Sequence, residues 1–136
     1  MVTILCIDDD PKMLQAQTAI WGAKGYTVLT APDGLTGIAI ARTHSIDAVV
    51  TDFQMPGMNG SQVAELLMNE NPTLPVVIYS GCPDEIPTGL KCFVLSKGDG
   101  PDNLLSMVDE IVALNCTGKK HSAQKKSRSH WQKKAS

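Results

Sequence analysis

The 136-residue chain lacks the features that mark several classes of protein. No apolar run approaches the roughly 18 residues needed to span a bilayer. The N-terminal run from Val2 to Ile7 is interrupted by Thr3, and no basic segment leads into a secretory core. A cytoplasmic protein with no membrane contact is therefore expected. Four cysteines, Cys6, Cys82, Cys92 and Cys116, are too few and too scattered for a disulfide scaffold, and none stands at C-x-x-C spacing. They read as reduced small hydrophobes, with Cys82 set apart in a loop of glycine, proline and acidic residues. Internal repeats are absent. Residues 117–136 lack acidic side chains and keep no aliphatic ones beyond Ala123 and Ala135.

The composition is 43% hydrophobic and 19% charged, that of one globular domain able to bury a core. Its net charge of −2 hides a division. Residues 1–116 carry 14 acidic and 5 basic side chains, a balance of −9, whereas residues 117–136 carry 7 basic and no acidic ones. A segment of Lys, Ser, Gln, His and Arg with one isolated Trp131 cannot bury enough apolar surface to offset its ordering entropy. The expected organisation is thus a folded domain over 1–116 and a disordered basic tail over 117–136. Such a tail reads first as a solubilising extension, and the sharper alternative is electrostatic contact with nucleic acid, an acidic partner or the acidic body itself.

Short β-branched runs alternate with helical periodicity. Thr3–Ile7, Thr27–Ala31, Ala48–Thr51, Val76–Ser80 and Cys92–Ser96 read as strands, nearly continuous in apolar character as parallel strands buried on both faces should be. Helices are predicted over Pro11–Lys24, Gly34–Arg42, Gly60–Glu70 and Pro101–Leu114. The first would be capped by Asp10, opened by Pro11 and stopped at Gly25, with Met13, Ala16, Ile20 and Ala23 as its apolar face. The third would present Val63, Leu66 and Leu67, and the last Leu104, Val108, Ile111 and Val112. Alternation of this kind implies an α/β fold, a five-stranded parallel sheet covered on both faces. One crossover is anomalous: Gly81–Lys91 contains Pro83 and Pro87, so only a short helix or loop fits.

In an open parallel sheet, ligands bind beyond the carboxyl ends of the strands. Asp8, Asp9 and Asp10 follow the first strand, Asp52 the third and Lys97 the fifth, while Ser80 ends the fourth. Asp10 is explained as a helix cap, but Asp8 and Asp9 are not. Three carboxylates brought together repel unless a cation neutralises them. Oxygen-only ligands suit a hard cation such as Mg2+, which typically binds one or two carboxylates plus phosphate oxygens. Cation, ammonium and hydroxyl around one carboxylate is the arrangement needed by an aspartate nucleophile attacking a phosphoryl group.

The segments Ile4-Leu-Cys-Ile-Asp-Asp-Asp-Pro11, Val49-Val-Thr-Asp-Phe-Gln-Met-Pro-Gly-Met-Asn-Gly60, Val76-Val-Ile-Tyr-Ser-Gly81 and Val94-Leu-Ser-Lys-Gly98 resemble the receiver domain of two-component response regulators, over roughly residues 3–115. The resemblance implies a doubly wound, flavodoxin-like sheet in the order 2-1-3-4-5. It implies that Asp52 is the phosphoacceptor, served by a sensor histidine kinase or histidine phosphotransfer protein. Since residues 117–136 are too few and too polar for an output domain, a stand-alone receiver is expected, acting through phosphorylation-dependent contact with a downstream protein target or as a phosphorelay intermediate. Asp8, Asp9, Asp52 and the backbone carbonyl of Gln54 would bind Mg2+, Ser80 would be the switch hydroxyl and Lys97 the phosphate-binding lysine. Gln54 and Cys82 would occupy the positions that tune dephosphorylation.

Two departures stand out. Gly98 replaces the proline that usually follows the lysine, and Val94 holds the switch position of the usual aromatic, with Phe93 on the opposite face of the strand. The curtailed fourth helix reshapes the surface that the family commonly uses for output.

Other functions compare unfavourably. An aspartate-nucleophile phosphatase carries a second Asp two residues after the nucleophile, and Gln54 at that position cannot shuttle a proton. The expected protein is therefore not an enzyme acting on foreign esters, but a signalling phosphoprotein promoting its own phosphorylation and dephosphorylation. Nucleic-acid binding through the tail is opposed by the −9 body.

Overall fold

Parallel neighbours need a crossover on one face of the sheet, and this chain supplies one after nearly every strand. The computed structural model describes residues 2–87, 89 and 91–117, with side chains as far as Leu114. In chain order the elements are β1 (Thr3–Ile7), α1 (Pro11–Ala23), β2 (Thr27–Ala31), α2 (Gly34–Thr43), β3 (Ala48–Thr51), α3 (Gly60–Glu70), β4 (Val76–Ser80), a 3-10 turn (Pro83–Glu85), β5 (Phe93–Ser96), a second 3-10 turn (Lys97–Asp99) and α4 (Pro101–Thr117). All strand pairings are parallel, in the order β2-β1-β3-β4-β5. The expected doubly wound, flavodoxin-like architecture is present, with a 3-10 turn at Pro83–Glu85 in the fourth crossover.

Strand alternation divides the core into two layers. Leu5, Ile7, Val49, Val76, Ile78 and Val94 pack under α2 and α3, whereas Ile4, Cys6, Val50, Val77, Phe93 and Leu95 pack under α1 and α4. Each large aliphatic fully buried in this way contributes about 1.5–3 kcal/mol. Among its described residues the fourth crossover has no α-helix to lay on the sheet, yet Cys92 and Val94 remain buried there, because Ile86 just after the 3-10 turn joins the core beside them.

The helix starts follow local chemistry. Asp10 caps α1 by accepting from the Lys12 N–H at 3.0 Å, with Pro11 in the first turn. Asp33 caps α2 through Thr36, and Asn59 and Gln62 cap α3 reciprocally. Gly25 takes φ +87° just beyond α1, the left-handed conformation that lets the chain turn into β2.

Two predicted faces are corrected. In α1, Ala16 and Ala23 are exposed, and the row turned to the core is Met13, Leu14, Gln17 and Trp21. Trp21 supplies the buried bulk, so the helix rotates to seat it and carries the Gln17 amide inward. In α3 the inward row is Gly60, Val63, Ala64 and Leu67, which leaves Leu66 on the flank, 38% exposed. The last helix also runs three residues beyond its predicted end, to Thr117, and β5 begins one residue late, at Phe93. The Cys116 side chain and the tail beyond Thr117 lie outside the described residues. Among the described residues, no helix is long and apolar enough to cross a membrane.

Candidate functional site

The two central strands bring the acidic residues together. Ile7 pairs with Thr51 at the end of the β1–β3 ladder, so the next residues, Asp8 and Asp52, stand side by side. The Asp52 N–H donates to the Ile7 carbonyl at 2.9 Å, and the Asp8 N–H to Ala31 on the other side at 3.1 Å. One carboxylate oxygen from each of Asp8, Asp9 and Asp52 lies within 4.8 Å of the others, with Asp8 buried, Asp52 half-buried and Asp9 exposed. Asp8 does have a local bond, contrary to expectation: its Oδ1 accepts from the Asp10 N–H at 2.9 Å, tightening the turn into α1.

Lys97 arrives from the far edge of the sheet. Immediately after β5, its Nζ lies 3.5 Å from Asp8 Oδ2 and 3.3 Å from Asp52 Oδ1. Burial alone would lower the pKa of this ammonium. The charges of Asp52 and Asp8 outweigh it and hold the pKa above its usual value, so Lys97 is protonated. Asp8 is pushed the other way. Burial raises its carboxyl pKa, Asp52 and Asp9 add repulsion, and the Asp10 N–H and Lys97 only partly offset them. The charge balance is therefore incomplete with one ammonium and three carboxylates, and the oxygen-only donor set fits a hard divalent cation.

Asp52 is held by one oxygen only. Its Oδ1 accepts from the Phe53 N–H at 2.9 Å and faces Lys97, while Oδ2 accepts no hydrogen bond among the described residues. The backbone beneath is fixed by α3: the Gly60 N–H donates to the Phe53 carbonyl at 2.7 Å, and a Cβ on Gly60 would stand 2.3 Å from the Asp52 carbonyl oxygen. Glycine is required there by close approach, a role beyond opening the helix predicted over 60–70.

The remaining predicted residues surround this cluster or stand apart from it. Ser80 ends β4, buried, and its Oγ accepts from the Cys82 N–H at 3.0 Å. Cys82 is exposed, whereas Cys6 is buried, and burial drives its thiol pKa far up. Exposed Gln54 donates from Nε2 to Glu85 Oε1 at 2.7 Å, joining the loop after Asp52 to the 3-10 turn. Sequence reasoning missed Glu85, because nothing in residues 81–91 foretold where the shortened crossover would place it. Val94 is buried in the layer under α2 and α3 and Phe93 in the other layer, so the two stand on opposite faces, as expected. The Lys97–Gly98 peptide is trans.

A parallel 2-1-3-4-5 sheet with a carboxylate cluster beyond β1 and β3 and a lysine beyond β5 defines a receiver of the flavodoxin-like class. The chain belongs to the response regulator receiver domain family, whose model matches residues 4–99. It is similar to Protein PilH of Pseudomonas aeruginosa, with 39% identity over 117 residues that cover 84% of this chain and 93% of PilH. Transcriptional regulators that it also matches are much longer, and it spans 34% of one and 26% of another. Among solved structures it is similar to a response regulator receiver domain protein from Clostridium thermocellum, with 25% identity, a TM-score of 0.74, and coverage of 86% of this chain and 98% of that one. The response regulator TrrA from Thermotoga maritima shares the fold at 21% identity and a TM-score of 0.75, covering 82% of this chain and 99% of TrrA. TrrA has been solved with Mg2+–BeF and in complex with the histidine kinase ThkA. Phosphoacceptor signalling in a two-component system is the function of this receiver family.

Proposed function

We propose that Asp52 accepts the phosphoryl group, from a phosphohistidine on a sensor kinase or a histidine phosphotransfer protein. The observation that carries this reading is the asymmetry of Asp52: Oδ1 is tied to the Phe53 N–H and faces Lys97, while Oδ2 is free to attack. In the step, an Oδ2 lone pair forms the bond to phosphorus, and the bond from phosphorus to the imidazole nitrogen breaks with its electrons going to the ring. Lys97 stabilises charge on the phosphoryl oxygens from its place between Asp8 and Asp52. The Ser80 hydroxyl is the switch group that exchanges its bond from Cys82 for one to the phosphoryl group. Asp8, Asp9 and Asp52 fit Mg2+, with the Gln54 backbone carbonyl as a further ligand, and the ion when bound would neutralise the carboxylates and the incoming phosphoryl charge.

Gln54 offers no proton-shuttling group beside Asp52, so the acyl phosphate persists as a signal rather than turning over as in a phosphatase. Gln54 and Cys82 tune how long it lasts. The chain acts in the cytoplasm as a signalling phosphoprotein, not as an enzyme on foreign substrates, and its target is a protein that reads the reshaped surface around residues 81–91. Incubation with a small-molecule phosphodonor and Mg2+ should add one phosphoryl group that is labile in both acid and alkali and released by hydroxylamine, as an acyl phosphate is. Asp52→Asn should take up none, and strong chelation should abolish uptake by the wild type. Equal labelling of Asp52→Asn would refute the assignment of the acceptor, and labelling that survives chelation would refute the cation site.

A further inference from the structure

Beside the carboxylate cluster lies a groove of about 780 Å³, between the loop joining β2 to α2 and the loop joining β3 to α3. Its walls include Pro32, Leu35, Pro56 and Met58, and Asp9 and Asp33 share the lining. Leu35, in the first turn of α2, is 70% exposed, more than any other large hydrophobic among the described residues. An apolar groove with acidic residues in its wall is a surface shaped for a partner that is both apolar and cationic.

We propose that this groove docks the chain's own basic segment, residues 118–136, with Trp131 as the apolar anchor. Charge selects this occupant. Nine of the fourteen acidic residues fall in the loops after the strands' carboxyl ends or in the first turn of α4; the basic residues at that end are Lys12 in the first turn of α1 and Lys97, Lys91 lying at the opposite end, just before β5 and beside the last turn of α3. That end of the molecule therefore carries about −7 before any cation binds, and residues 118–136 carry seven basic and no acidic side chains. Arg128 lies three residues before Trp131, and Lys133 and Lys134 follow it closely, so an indole in the groove brings cations to both sides. A second copy presenting the same face would set like charge against like charge, and a polyanion would be repelled in the same way.

The reach is sufficient. α4 starts at the strands' carboxyl ends and runs back for 17 residues, about 25 Å. From Thr117 to Trp131 the chain can extend roughly 46 Å, which exceeds that distance by about 20 Å. Docking depends on charge and on the groove, not on phosphoryl chemistry, so this inference stands or falls apart from the role of Asp52.

The test uses the full chain labelled with 5-fluorotryptophan, which gives one fluorine resonance for buried Trp21 and one for Trp131. At low salt the Trp131 resonance should be displaced from that of a free peptide of residues 118–136. The displacement should vanish near 1 M salt, where the Debye length is about 3 Å, and in Leu35→Lys, with the Trp21 resonance unmoved as the control for folding. It should persist in Asp52→Asn and be unchanged on tenfold dilution. A Trp131 resonance coincident with the peptide's at low salt would overturn the proposal, as would a displacement that ignores Leu35→Lys. Dependence on protein concentration would assign the groove to a second copy. Displacement only after addition of duplex DNA would assign the tail to nucleic acid.

Discussion

Two groups of ion pairs stand at opposite ends of the sheet and differ in what they do. Near the amino ends of the strands, Arg42 on α2 grips Glu70 on α3 with two guanidinium nitrogens, both side chains open to water. At the carboxyl ends, Lys97 approaches Asp8 and Asp52 at 3.5 and 3.3 Å, longer than the Arg42 contacts, but with side-chain exposures of 26%, 3% and 14%. The better geometry belongs to the weaker pair. Water screens the surface bridge and side-chain entropy opposes it, whereas the carboxylates beside Lys97 have little else to neutralise them. Functional weight thus follows burial and uncompensated charge rather than distance.

The comparison can be broken in several places. Lys97→Ala should have the largest effect. Phosphorylation by a small-molecule donor should slow by about a hundredfold, the size expected for loss of one preorganised electrostatic contact, while the far-ultraviolet circular dichroism of the fold is kept. A rate within twofold of wild type would remove Lys97 from the reaction. Gly60→Ala comes next: its methyl would drive into the Asp52 carbonyl, and overpacking of this kind costs about 1–3 kcal/mol in denaturant unfolding. Gly22→Ala, with open space at its Cβ, is the control and should not destabilise.

Asp8→Asn should act in the opposite direction. In metal-free protein it relieves the convergence of three carboxylates and should raise stability by about 1 kcal/mol, at the expense of phosphorylation. Because the folded-state pKa of Asp8 is raised, the ionised wild type is the destabilised form. The advantage of the variant should therefore be full at neutral pH, shrink as pH falls through that raised pKa, and be gone below the ordinary carboxylate value, where Asp8 is protonated in the folded and unfolded chain alike. A gain that grows on acidification would contradict the assigned cause. Arg42→Ala should be smallest, with no measurable change in Tm or phosphorylation. A loss comparable to that of Lys97→Ala would invert the ranking of the two ion-pair groups.

Much of this was legible in the sequence because local and tertiary signals agree at the strand ends. Asp8, Asp9, Asp52 and Lys97 each follow an apolar run that can only be a strand, and a parallel sheet aligns those ends. The first helix was harder. Alanine tolerates either face, so Ala16 and Ala23 carry no orientation, and a buried Gln17 runs against every hydropathy pattern. Gly60 was visible as the start of the third helix, but its contact with the Asp52 carbonyl depends on the angle at which α3 meets β3, which no periodicity encodes. The Gln54–Glu85 bond crosses from one loop to another and has no sequence signal of its own.

The central claim is that Asp52 is the phosphoryl acceptor, and peptide mapping of the phosphorylated protein tests it most directly. After reaction with a small-molecule phosphodonor and Mg2+, and trapping of the acyl phosphate by borohydride reduction, the modified residue should be found at position 52 alone, in the peptide containing Phe53 and Gln54. Modification at Asp8 or Asp9, with position 52 unmodified, would contradict the account.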